Sequence, residues 1–236
     1  MAEWSRDTRW RQGYLLGADA VEALGLIHPA GRERTVAIVA THDCDLAQSP
    51  EWEPCIEVVV GRSIDAGDGN FTHAKNSRKL HIKFAGDAGC WCEIEATAKL
   101  VLNKNDLAQF EPRNDVRLSA ENHSAFQYWL ASRYRRSAFP DEFERRLSKE
   151  SKLAEKIARA VRPHGALISG VFFDVDQGDE IDRQGPDDTY TLDITILHSA
   201  EPDFVAAATA AQQAADAISK AFKDKAIRVL GAVNVY

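Results

Sequence analysis

The sequence predicts an α+β chain in two parts. Residues 1–115 are expected to curl into a small barrel or strongly bent sheet, and residues 116–236 to form an α-α-β-β-α-β layer. Three observations carry this. Short apolar or alternating runs, separated by Gly, Pro and Asp turns, fill the first half. Helical periodicity with caps and prolines opens the second half. Hydrophobic residues at 44% and charged residues at 28% of 236 sit near the average for folded chains and leave enough apolar material for a core.

Residues 35–41 form a short, nearly all-apolar run, as a strand buried on both faces requires. Residues 56–60 form another. Residues 79–84 alternate, with Leu80, Ile82 and Phe84 against Lys79, His81 and Lys83, the pattern of a half-buried strand. Residues 92–102 alternate more loosely. A short helix from about Ala18 is expected to stop at Gly25 or at latest at Pro29. In the second half, Asn122 or Ser124 caps a helix to about Arg135, and Pro140 starts another. Its apolar stripe of Phe143, Leu147, Ala154, Ile157 and Val161 predicts one continuous helix ended by Pro163. Strands follow over 166–175 and 189–198, joined by an acidic hairpin. A long Ala-rich helix spans about 202–223, and a strand over 227–236 closes a mostly antiparallel three-stranded sheet. The edge of that last strand offers a route to a homodimer.

Net charge is −7, unevenly spread. Residues 133–162 hold ten Lys/Arg against five Asp/Glu, and residues 163–204 hold one Arg against ten Asp/Glu. This points to two faces with different partners, or to faces that meet each other. No run approaches about 18 uncharged apolar residues, so no membrane-spanning helix is expected. The charged, Trp-bearing first 14 residues do not read as a signal peptide. With four cysteines, the expected location is a reducing cytoplasm.

The densest polar segment is Thr41-His42-Asp43-Cys44-Asp45, directly after the first buried run. In extended chain, Asp43 and Asp45 share one face, and His42 and Cys44 share the other. The carboxylates suit a hard cation such as Mg, or orientation of a histidine. The Cys/His face could join Cys90 and Cys92, and Cys55, around Zn, although C-x-C is a poor match to structural zinc spacing. Free thiols with capping aspartates are the alternative, and a nucleophilic Cys44 is a third reading. A second feature is the basic loop His73, Lys75, Arg78, Lys79 and His81, which suits a phosphodiester. The third is Trp129, Arg133, Tyr134, Arg135 and Arg136, aromatics interleaved with arginines at a helix end, as single-stranded nucleic acid binders use. The acidic segment 174–182 fails the calcium-loop pattern.

Gln12-Gly13, the run Val36 to Leu46 and Arg133-Tyr134-Arg135-Arg136 with Pro140-Asp141 together resemble a set of uncharacterised bacterial proteins carrying an S/T-x-D-C-D segment. That resemblance implies no activity. Residues 10–110 are similar to the SH3-like barrel of the MazF/PemK toxin family. The likeness rests on a Gln-Gly first strand, a buried strand ending in a hydroxyl residue, the run Ile56 to Ile64, and Glu93 to Leu107 with its late turn at Asn103-Lys104. That family cuts single-stranded RNA without metal, using Arg and Thr/Ser, and the resemblance puts Arg62 and Ser63 at its reactive loop.

Taken together, the residues predict a nucleic-acid-processing or nucleic-acid-binding protein, a toxin-like or defence-associated nuclease. His42 or His73 would be general base or acid, Arg62, Lys75 and Arg78 would neutralise phosphate charge, and Asp43 and Asp45 would hold a divalent ion. The alternative is a non-catalytic binding or regulatory module, with or without structural zinc. The nuclease reading requires the Thr41–Asp45 segment and the basic loop to share one hollow.

Overall fold

The computed structural model describes the chain apart from residues 1–3, 136–138, 151, 180, 182, 184, 186–187, 200–201, 226–232 and 236. It is α+β and divides into two compact units. The first comprises Met1–Gly67 and Asn76–Arg135, the second Asp68–Lys75 and Arg136–Tyr236. This corrects the break expected at residue 115. The strand after that point pairs within the first sheet and the following helix belongs with it, whereas Asp68–Lys75 leaves the first unit for the second.

In the first unit, helix α1 (Ala18–Ala23) is followed by a turn at Gly25 and leads to strand β1 (Thr35–Val39). Helix α2 is a single turn, Asp43–Leu46. Strands β2 (Cys55–Ile64), β3 (Lys79–Gly86) and β4 (Trp91–Asn103) follow, then the one-turn helix α3 (Lys104–Leu107), strand β5 (Val116–Leu118) and helix α4 (Ala120–Arg135). The five strands form one curled antiparallel sheet in the order β1-β2-β4-β3-β5. A bulge between Val59 and Gly61 shifts the β2–β4 register, which is how a long strand pair bends.

The outer edge of β1 is covered. Leu16 N–H donates to the Ala37 carbonyl (3.0 Å) and Val39 N–H to the Tyr14 carbonyl (2.9 Å). On its other side, Arg113 N–H donates to the Leu15 carbonyl (2.9 Å), just before β5. One strap, residues 14–16, therefore joins the first strand to the approach of the last and removes an exposed edge. Gly13 enters the strap with φ +81°, and a Cβ there would lie 2.9 Å from Leu118. One core cluster gathers Trp10, Leu16, Ala37, Val58 and Leu107. Phe126 and Trp129 of α4 are also buried, with their rings stacked 6.3 Å apart.

The second unit contains helices α5 (Asp141–Arg145), α6 (Leu153–Val161) and α7 (Phe204–Lys225), with strands β6 (Ile168–Val175), β7 (Leu192–His198) and β8 (Val233–Val235). β6 and β7 are antiparallel, and β7 and β8 parallel. The continuous helix expected from Pro140 to Val161 is interrupted. A π-helical turn covers residues 146–150, and Lys152 takes a left-handed conformation (φ 54°) before α6. Residues 148–152 supply no apolar side chain to continue the stripe. Arg146 turns inward instead: its Nε meets Glu142 at 2.7 Å and its other nitrogens donate to the Asp188 and Gly185 carbonyls. The core is built from Phe143, Ile157, Ile168, Leu192, Ile194 and Ile218.

The segment Asp68–Lys75 is fastened to the turn before β6. Lys75 Nζ donates to the carbonyls of Gly165 and Ile168, both at 2.8 Å. Gly69 and Gly165 approach so closely that a Cβ on Gly165 would lie 2.1 Å from the Gly69 Cα. Burial pulls the Lys75 pKa down to about 8, against the opposing pull of Asp68. Between pH 8 and the ordinary lysine range near 10.5, the unfolded chain thus binds the proton more tightly than the folded one, and stability rises with pH. Wild-type protein should gain about 2 kcal/mol relative to Lys75→Met across that window, read by denaturant unfolding at several pH values. A constant difference between the two would contradict the assignment.

Candidate functional site

The Thr41–Asp45 segment folds as a cap and a helical turn. Ala40 N–H donates to the Glu57 carbonyl (2.9 Å), and Glu57 N–H donates to Thr41 Oγ1 (2.7 Å), which ends the β1–β2 pairing. His42 is the N-cap of α2, and its Nδ1 accepts from Cys44 N–H at 3.3 Å. Asp43 Oδ1 accepts from Gln12 N–H (2.8 Å). This corrects the extended-chain expectation. Because the cap starts a helix, Asp43 and Asp45 stand about 200° apart around its axis and do not share a face.

Two side chains from distant sequence hold this turn. Gln12 is buried: its Nε2 donates to the Ala40 carbonyl (2.7 Å) and its Oε1 accepts from Gln127 of α4 (2.8 Å). Lys104 is fully buried, and its ammonium donates to the carbonyls of Asp45 (2.7 Å) and Gln48 (2.8 Å), 5.2 Å from the Trp4 ring centre. Burial lowers its pKa, while Glu53 and Asp45 act in the opposite direction. Neither Gln12 nor Lys104 is among the expected site residues. Each stood in a motif already singled out, the Gln-Gly pair and the Asn103-Lys104 turn.

Beside this turn lies a cleft of about 690 Å³. His42, Asp45, Glu53, Glu57, Lys99 and Gln127 supply polar groups to its wall, and Val101, Leu130 and Ala131 apolar ones. Lys99 Nζ pairs with Glu57 (3.0 Å) and sits 5.8 Å from the centre of the exposed Tyr134 ring. Three carboxylates thus face one ammonium. Trp52, 83% exposed, directly precedes Glu53.

The expected catalytic set is not gathered here. Of His42, Asp43, Asp45, Arg62, His73, Lys75 and Arg78, only His42 and Asp45 line the cleft. His73 and Lys75 belong to the second unit, with Lys75 bound to carbonyls. Arg78 is exposed at the start of β3, its N–H held by Asn76 Oδ1. Arg62 lies in a separate cluster on one sheet face. Glu93 of β4 is met by Arg62 from β2 (2.8 Å) and by Lys79 (3.2 Å) and His81 (2.9 Å) from β3. Burial opposes the Glu93 charge, but hydrogen bonds from His81, Lys79 and Arg62 outweigh it and hold its pKa down at about 2.

The aromatic–arginine helix end is also divided. Trp129 is buried in the core and cannot stack a base, which corrects its assignment. Arg133 donates to the Ala96 carbonyl (2.8 Å), and Tyr134 is 77% exposed. Arg136 and the side chain of Arg135 lie outside the described residues. Among the cysteines, Cys44 is exposed, Cys55 lines the cleft, and Cys90 and Cys92 sit together with sulfurs 3.6 Å apart. Among the described residues, no three His, Cys, Asp or Glu side chains gather as a metal ion requires, so Cys44, Cys90 and Cys92 do not form the expected zinc set. No helix among the described residues is long and apolar enough to cross a membrane.

Comparison of the chain with family models, curated proteins and solved structures finds no match.

Two outcomes follow from the anchoring. Lys104→Met leaves two carbonyls without their buried donor and should destabilise the protein by about 2–4 kcal/mol in urea unfolding, with the Cys44 thiol labelled faster as the turn loosens. Glu93 has a folded pKa below its unfolded value, so its stabilisation is present above pH 4.5 and lost as pH falls toward 2. Discounted for solvent screening, Glu93→Gln should cost about 2 kcal/mol at pH 7 and almost nothing at pH 2, read by denaturant midpoints.

Proposed function

We propose that the protein is a binding module and that its first unit is an SH3-like barrel carrying α4. In the cleft beside α2, the barrel receives a Lys- or Arg-bearing segment of a partner protein. The observation that carries this is the charge of the cleft: Asp45, Glu53 and Glu57 on its wall against Lys99, with Lys104 behind the wall acting on Asp45 and Glu53, which leaves the acidic groups in excess. A phosphodiester would meet net repulsion there, whereas an ammonium or guanidinium group meets complementary charge. The exposed Tyr134 ring, 5.8 Å from the Lys99 ammonium, offers a cation a face beside that lysine. The curled five-stranded sheet and the strap at residues 14–16 support the barrel reading, which follows the resemblance that the sequence of residues 10–110 bears to the MazF/PemK family. Asp43 and the backbone of Asp45 are engaged in holding α2, which favours a scaffold over a hydrolytic site.

A second reading, single-stranded nucleic acid, is favoured by a different surface. Lys79 and Lys83 lie on one face of β3 with the buried His81 between them, and Arg62 joins Lys79 across Glu93. Fluorescence anisotropy separates the two. A labelled peptide rich in Lys and Arg should bind, and Asp45→Asn with Glu53→Gln should weaken it about tenfold, at roughly 0.7 kcal/mol per charge. A peptide that fails to bind, while single-stranded RNA is bound or cut with or without magnesium, would overturn the module reading in favour of the nucleic-acid one.

A further inference from the structure

Cys90 and Cys92 flank Trp91 at the start of β4, and their sulfurs lie 3.6 Å apart. Cys92 is fully buried, while Cys90 is partly buried and keeps some access to solvent. The hairpin that carries them is fixed on both sides. Phe84 N–H donates to the Cys90 carbonyl (2.9 Å), and Gly89 N–H to the Gly86 carbonyl (3.1 Å). Cys92 is held in register between Ser63 and Ile82. The guanidinium of Arg113 acts on both sulfurs, and Arg113 is fixed by its ion pair with Asp115.

We infer that Cys90 and Cys92 are a redox-active dithiol that exchanges with small disulfides, with Cys90 as the reacting thiol and Cys92 as the resolving one. The accessible thiol attacks first, since access and thiolate character set the rate of exchange. The Cys90 thiolate attacks one sulfur of the small disulfide, forms a mixed disulfide and expels one thiolate, which takes a proton from solvent. Cys92 then loses its proton and attacks the Cys90 sulfur. The Cys90–Cys92 bond forms and the second small thiol leaves. Two cysteine thiols are oxidised and one small disulfide is reduced to two thiols. The fixed hairpin makes the second attack intramolecular, which raises its effective concentration. The electrostatics agree with this order. A hydrogen bond from Cys92 S–H, with help from Arg113, brings the Cys90 pKa down to about 7, and the same bond and burial push Cys92 up. This inference is independent of what the cleft binds.

The test uses the full chain and oxidised glutathione. After incubation at pH 7, the protein is quenched in acid, alkylated and mapped by mass spectrometry. The peptide holding both cysteines should lose two hydrogens and resist alkylation. In Cys92→Ser, Cys90 should instead be trapped as its glutathione mixed disulfide. In untreated wild type, Cys90 should react with iodoacetamide roughly tenfold faster than Cys44. If Cys90 and Cys92 both remain alkylatable while exposed Cys44 is glutathionylated, the assignment is overturned. A persistent wild-type mixed disulfide at Cys90, with Cys92 still alkylated, overturns it equally. Both readouts come from wild type and stand even if the variant does not fold.

Discussion

A single buried ammonium fixes the geometry around the cleft. Lys104 has no access to water, so its charge must be met by the protein or the fold loses several kcal/mol. It is met by the carbonyls of Asp45 and Gln48, at the end of the turn that follows β1. Lys104 itself opens α3, directly after β4. The contact thus ties the ends of two strands separated by β2 in the sheet. Gln12 makes a second tie, from the start of the chain to Ala40 and α4. Between them, these two side chains set where His42 and Asp45 stand on the cleft wall.

Charge is sorted within the first unit. Acidic side chains collect at the cleft, where one lysine balances one of three carboxylates. Basic side chains collect on β3 and around Glu93, whose carboxylate draws three donors from two neighbouring strands. Neither surface follows from the net charge of −7, which averages over both. Selectivity for a charged ligand is set by such local fields more than by the sum.

The four cysteines separate by environment. Cys44 stands on an exposed turn and Cys55 at the cleft, while Cys90 and Cys92 sit together at the start of β4 with the charge of Arg113 acting on both. A two-residue spacing alone gives a weak signal for either metal or redox chemistry. The 3.6 Å approach of the sulfurs, with one thiol accessible and its neighbour sealed, is what distinguishes this pair.

Local pattern determined much of the architecture. The apolar run at 35–39 is a strand buried almost throughout, the alternation at 79–84 lies in β3, and Gly25, Pro140 and Pro163 mark helix boundaries close to where they were expected. The Thr41–Asp45 segment was legible as polar residues following an apolar run, whereas Gln12 and the Asn103-Lys104 turn entered only as parts of the family resemblances. The partners of those residues were not legible. Whether Asp43 and Asp45 share a face depends on a cap bond that turns an extended segment into a helix. Trp129 reads as an exposed aromatic beside arginines, yet its side of α4 is buried. Lys75 reads as a phosphate ligand, yet two carbonyls some 90 residues away take its ammonium. Such outcomes are set by which distant groups arrive in three dimensions. A charged or polar side chain is satisfied by whatever donor or acceptor the fold brings to it, and sequence periodicity carries no record of that neighbour.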